Sequence, residues 1–97
     1  MYIANAFSLQ MIKSFPTNVA IEEISKSDFE SLKPTLVSAI GHADTAAVLG
    51  FEPNRVNVAL EKGQSIIVAQ LQGGRLPEGS TTLPEGFSFK FLKVTVN

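Results

Sequence analysis

Hydrophobic residues recur along this chain in short clusters rather than long periodic runs, a pattern that predicts short strands and short helices. Residues 2–7 form a mostly apolar run interrupted by Asn5, as in a buried strand. Residues 8–12 suit a helical turn or loop ended by Phe15-Pro16. Partial alternation over residues 19–24 predicts a second strand, placed at a sheet edge. Ser27-Asp28-Phe29-Glu30 fits a capping box, so a short helix is expected to begin there. It stops by Lys33, because Pro34 drives its predecessor out of the helical region.

Residues 35–40 form the third expected strand and residues 42–49 the second helix. Residues 54–60 alternate Val56, Val58 and Leu60 against Asn57 and Ala59, as a half-buried strand does. After a turn at 61–64, residues 65–71 run almost continuously apolar, which suits a strand at a sheet centre. Residues 72–86 hold four glycines and two prolines and read as a long loop. Loops of that length inside small domains commonly carry function. Phe87, Phe89 and Phe91 share one face of a last strand, but Val94 and Val96 shift the parity, which predicts a β-bulge near Leu92-Lys93. Five or six strands and two short helices make a single mixed sheet with helical cover, of class α/β or α+β.

Size and charge narrow the functions open to such a fold. The 97 residues are expected to form a single domain, residues 1–97. A chain of this size buries about 60–65% of its unfolded surface, enough to fold unaided. The formal net charge of −1 provides no basic field for duplex DNA or RNA, so an anionic partner must be small and met by a few placed groups. Two of the eight cations are arginines, Arg55 and Arg75, the better forks for phosphate. The absence of cysteine excludes disulfides and thiolate zinc sites. One histidine and scattered acids argue against a catalytic metal, so no cofactor is expected. No signal-peptide pattern appears at the N-terminus, and no apolar run approaches the ~20 residues of a membrane span. A cytoplasmic protein without a membrane partner is expected.

The single histidine lies in Gly41-His42-Ala43-Asp44-Thr45, at a strand-to-helix junction. Free N–H groups at a helix start can hold an anion, and imidazole can give or take a proton near neutral pH. The plain alternative is a histidine that only caps the helix. In the long loop, Leu76-Pro77-Glu78-Gly79 is repeated as Leu83-Pro84-Glu85-Gly86, each suiting a type I turn. The first copy follows Gly73-Gly74-Arg75, which would bring an arginine and a carboxylate close to a ligand. Glu22 and Glu23 fall on opposite faces of a strand and are no carboxylate pair. No phosphate-binding glycine motif or nucleophile elbow is present.

Four blocks occur in order: residues 1–9, beginning Met1-Tyr2-Ile3-Ala4-Asn5; Ser38-Ala39-Ile40-Gly41-His42-Ala43-Asp44-Thr45-Ala46; Asn54-Arg55-Val56; and Arg75-Leu76-Pro77-Glu78-Gly79. Together they resemble the viral ring nuclease family, the type III anti-CRISPR proteins of archaeal viruses and phages, with relatives in bacterial mobile elements. The resemblance spans almost the whole chain. It implies a metal-independent phosphodiesterase that opens cyclic tetra-adenylate to linear di-adenylate ending in a 2′,3′-cyclic phosphate, antagonising type III CRISPR signalling in the host cytoplasm. It also implies a homodimer that binds the ring at its subunit interface. Carried onto this chain, His42 and Glu78 match catalytic residues, and Arg75 and Arg55 match ligand-contacting arginines. Asn5 and Ser8 match polar ligand contacts. Gln10 stands where the family often has asparagine, and Gln70 matches a base- or ribose-contacting glutamine. Two other readings remain open: a sponge that holds a cyclic oligonucleotide uncut, and a small module that binds another protein through its sheet edge.

Overall fold

In the computed structural model, which describes residues 1–13 and 17–97, the apolar run after residue 64 becomes the middle of a five-stranded sheet. Its strands are β1 (Tyr2–Ala4), β2 (Val19–Ile24), β3 (Val37–Ser38), β4 (Ser65–Gln72) and β5 (Ser88–Val96). They lie in the order β2-β5-β4-β1-β3. β1 runs parallel to β3 and β4, and β5 runs antiparallel to β4 and β2, so the sheet is mixed. Two helices, α1 (Lys26–Leu32) and α2 (Ala43–Leu49), complete an α+β fold. The helical turn expected after β1 is a 3-10 turn, Leu9–Met11, while its expected end at Phe15-Pro16 lies outside the described residues.

Ile66, Ile67, Val68 and Ala69 are all buried, so β4 presents apolar side chains to both faces. Each face has its own cluster. Ile67 and Ala69 pack with Phe29 of α1 and with Ala46 and Leu49 of α2. Ile66 and Val68 pack with Ile12, Val58, Leu60, Val94 and Val96. At the heart of the helical face, the rings of Phe29 and Phe91 stack with centroids 4.0 Å apart and planes 11° from parallel.

α1 begins earlier than expected. Its cap is Ser25 rather than Ser27, and the Ser25 hydroxyl accepts the Asp28 N–H at 3.0 Å. This start puts Ile24 just before the cap and Phe29 in the fifth position after Ile24, the spacing of a hydrophobic staple. Both side chains join the helical-face cluster. Ser27 instead sits inside the helix, where its carbonyl accepts the Ser31 hydroxyl. The α-helix ends at Leu32, but Lys33 keeps helical angles (φ −48°, ψ −44°) despite preceding Pro34, because both belong to the 3-10 turn Lys33–Thr35. That turn consumes the start of the expected third strand and leaves only Val37–Ser38 to pair with β1. β1 is likewise shorter than expected, because the chain leaves the ladder at Asn5.

Two expectations fail for one physical reason, the two-sided burial of the sheet. Residues 54–60 form no strand, and only Leu60 makes a bridge, in parallel with Ile12. Their alternation reflects Val58 and Leu60 covering the second face of the sheet, not membership of it. β5 also has no bulge near Leu92-Lys93: its pairing with β4 is continuous from Ser88↔Gln72 to Thr95↔Ser65. Regular alternation sends Phe89 and Phe91 to the helical face and Leu92, Val94 and Val96 to the other. The parity shift marks where the strand exchanges one well-covered face for the other.

Phe29→Ala is expected to cost about 3–5 kcal/mol by leaving a cavity under Phe91, a large share of the ~5–15 kcal/mol that holds a domain folded. Ile21, 62% exposed on the edge strand β2, serves as the comparison. Ile21→Thr should change stability by no more than about 0.5 kcal/mol. Urea midpoints of the two variants check both values.

Candidate functional site

Past β3 the chain turns away from the sheet through buried Ile40, and a polar lacing fixes its path. The Ser38 hydroxyl donates to the Glu52 carbonyl at 2.6 Å and accepts the Ile40 N–H at 3.3 Å. The Asn54 amide side chain donates to the Ser38 carbonyl at 2.9 Å, and the Asn54 N–H donates to the Ile40 carbonyl at 2.9 Å. One step further, Arg55 Nε donates to the Gly41 carbonyl at 3.2 Å. Residues 52–55 are thereby held along residues 38–41, with Arg55 beside His42.

His42 caps α2. Its Nδ1 lies 3.3 Å from the Thr45 N–H and 3.2 Å from the Thr45 hydroxyl. A backbone N–H can only donate, so Nδ1 acts as the acceptor and neutral imidazole carries its proton on Nε2. The plain capping role therefore leaves Nε2 as the proton-bearing nitrogen of an exposed side chain.

His42 and Asn5 line two adjoining cavities. The first, about 420 Å³, also includes Gly41, Arg55, Val56 and Asn57. The second, about 210 Å³, also includes Thr45, Leu71, Arg75 and Leu76. A third hollow of about 350 Å³ includes Ser8, Gln10, Val56 and Asn57, so it continues from the first. A tract thus runs from Arg75 past Asn5 and His42 to Arg55, and on to Ser8 and Gln10. Both ion pairs found among the described residues, Lys13–Glu61 and Lys90–Glu23, lie elsewhere, which leaves both arginines of the tract available to an anion. Among the described residues, no three His, Cys, Asp or Glu side chains converge as a metal site would require. No helix is long and apolar enough to cross a membrane among those residues.

A family model, STIV B116-like, matches residues 1–88, which include every residue of this tract. The chain belongs to the STIV B116-like family. Among solved structures, B116 of Sulfolobus turreted icosahedral virus (STIV) is similar to it, with a TM-score of 0.79 and 29% identity over 97% of each chain. No match was found among curated proteins.

In this B116-like chain the loop bearing Arg75 and Glu78 is held at three places. Gly73 forms its neck: at a φ of 111°, a side-chain carbon there would come within 2.7 Å of the Gly86 carbonyl oxygen. Leu76 is buried. The Gly79 N–H donates to Asp44 Oδ1 of α2 at 3.2 Å. Both Leu-Pro-Glu-Gly copies turn, but one residue later than expected: Ser80 N–H donates to Pro77 and Phe87 N–H to Pro84. Each turn's third residue is therefore a glycine, at φ 80° and 86°, the type II requirement rather than type I.

Glu78 is exposed on the first turn and lies outside the cavities lined by His42. Gln70 also stands apart, because β4 alternation turns it away from Ala69 and Leu71, which line the second cavity. Asp44, Asn54 and Asn57 were missed from sequence. Asn54 and Asp44 both fall within recognised blocks, but nothing local ties Asp44 to a loop 35 residues away.

The hydrogen bond from Thr45 predicts that neutral His42 is at least about 90% the Nε2–H tautomer, since the other form would lose its backbone donor, worth about 1–1.5 kcal/mol. Long-range ¹H–¹⁵N spectra of the imidazole ring, recorded at alkaline pH, read the tautomer ratio directly.

Proposed function

We propose that this B116-like protein is a metal-independent ring nuclease that cuts cyclic tetra-adenylate to linear di-adenylate with a 2′,3′-cyclic phosphate. The supporting observation is that His42 lies between two arginines in one tract, with Arg55 along the first cavity and Arg75 along the second. The four sequence blocks that resemble the ring nucleases lie within or beside this tract, and a solved relative comes from an archaeal virus.

The chemistry asks for little beyond such a tract. The ribose 2′-oxygen attacks the adjacent phosphorus in line; a 2′-oxygen–phosphorus bond forms while the phosphorus–5′-oxygen bond breaks. The 2′-hydroxyl proton leaves to solvent, and the departing 5′-oxygen needs a proton. Binding holds the in-line geometry, and Arg55 and Arg75 offset charge on the phosphate. His42 supplies the proton from Nε2. In the imidazolium form Nδ1 also carries a proton and loses the Thr45 N–H as a partner. The Thr45 hydroxyl at 3.2 Å can then turn to accept it, so the ring keeps its orientation. Glu78 lies outside the cavities lined by His42, on the turn that Gly79 ties to Asp44, so its part in cutting is played from beside the tract and not within it. Asn5, Ser8 and Gln10 bind the nucleotides along the tract, whereas Gln70, which faces away from it, is left without a part in this reading.

The active species is a homodimer. A ring of four equal nucleotides has a two-fold axis that an isologous dimer can share, placing two His42 side chains at opposite phosphates. The setting is the cytoplasm of a cell defended by type III CRISPR signalling, which the enzyme antagonises.

Labelled cyclic tetra-adenylate mixed with protein in EDTA tests this reading. The parent should yield di-adenylate. His42→Ala should retain affinity and lose about 10²–10⁴-fold in turnover. Arg75→Ala should weaken binding about tenfold or more, as loss of a charged hydrogen bond does. Glu78→Ala should slow cutting, whereas Glu85→Ala in the second turn should not. Tight binding without cutting would instead make the protein a sponge, and no binding would leave the interaction-module reading.

A further inference from the structure

The geometry points to Asp44 as a positioning residue that latches the loop of residues 73–87 to α2 and sets where Glu78 stands. The consequence for cutting rests on the ring-nuclease reading; the latch itself does not.

Asp44 is half-buried, two residues after His42, and its Oδ1 accepts the Gly79 N–H at 3.2 Å. The turn it holds is internally stiff, because the Pro77 carbonyl accepts both the Ser80 N–H at 3.2 Å and the Ser80 hydroxyl at 2.6 Å. The loop segment is therefore pinned twice within four residues: by buried Leu76 and by Gly79. Arg75 adjoins the first pin and Glu78 adjoins the second. Losing the Asp44 contact leaves Leu76 in place, so Arg75 stays near its cavity while the turn bearing Glu78 loses its tie to the helix that carries His42. Asp44 also suits the first turn of α2, where a carboxylate is favourable. Asparagine keeps an oxygen acceptor for Gly79 and removes the charge, which separates latching from electrostatics.

Two measurements decide the proposal. In ligand-free protein, hydrogen exchange of the Gly79 amide should rise about tenfold in Asp44→Ala and stay near the parent value in Asp44→Asn, as expected for losing or keeping one hydrogen bond. With cyclic tetra-adenylate, Asp44→Ala should lower kcat about tenfold while KM moves less than about threefold, and Asp44→Asn should restore kcat. Combined with Glu78→Ala, the Asp44→Ala loss should vanish, because one residue acts through the other. Unchanged Gly79 exchange in Asp44→Ala overturns the latch. Additive losses in the double variant, or Asp44→Asn behaving as Asp44→Ala, overturn its action through position. If the parent cuts nothing, the ring-nuclease reading fails and the Gly79 exchange still decides whether the latch exists.

Discussion

The structure depends on a central strand that must be covered on both sides. Ile66, Ile67, Val68 and Ala69 leave almost no apolar surface of β4 to water. Each fully buried aliphatic side chain contributes about 1.5–3 kcal/mol, so neither face can be left bare. The two seven-residue helices pack on one face only. The other face is closed by the segment around the 3-10 turn Leu9–Met11 and by Val58 and Leu60, the latter bridged to Ile12. A ladder position for residues 54–60 would have removed that cover.

That constraint also creates the site. Phe51 still packs on the helical-face cluster, whereas Val58 belongs to the opposite one. Between them the chain has to pass from one side of the sheet to the other, and it does so beyond the ends of β1 and β3. There it meets Asn5, just past β1, and Gly41-His42, just past β3. Arg55, Val56 and Asn57 are the residues of the crossing itself. The parallel strand β4 brings Ala69 and Leu71 to the same end and closes the second cavity. The candidate site thus lies at the carboxyl ends of the parallel strands, where open sheets of this kind commonly bind ligands. The cation–imidazole–cation arrangement is therefore a by-product of covering a two-faced strand with a short chain.

Local patterns made much of this legible in sequence. The apolar run of β4, the edge position of β2, the short helices and the long loop each follow from residues close together. The helix after Gly41 was equally plain, although it begins at Ala43 and not at the expected residue 42, with His42 outside it as the cap. What stayed hidden depends on choices between two local signals. Ser25 and Ser27 can both cap α1, and only the pairing of Ile24 with Phe29 in the core selects Ser25. Alternation at residues 54–60 is the same whether the segment joins a sheet or lies on it, because periodicity reports burial and not hydrogen bonding. The parity shift in β5 suits either a bulge or a sheet with two buried faces. Knowing that β4 was apolar on both faces, a reader of the sequence had the information to prefer the second.

The loop of residues 73–87 shows the opposite balance from the sheet. Ordering a residue costs about 1–2 kcal/mol of backbone entropy, and one buried leucine returns about 1.5–3 kcal/mol. Leu76 is the buried hydrophobic of this loop, while Arg75, Glu78 and most of its remaining residues are exposed. The neck at Gly73 and the Asp44 contact thus set the path of a segment that the core scarcely supports. Such a segment lies at the low end of local stability, where binding energy can do the remaining ordering. A ligand that touched only Arg55 would leave the loop as it is. One that reached from Arg55 across His42 to Arg75 would draw on both arginines, and only it would recover the ordering cost. Under the ring-nuclease reading, a ring of four phosphates would meet both contacts where a single phosphate meets one, and discrimination by size would then follow from the weakness of the loop rather than from a close-fitting pocket.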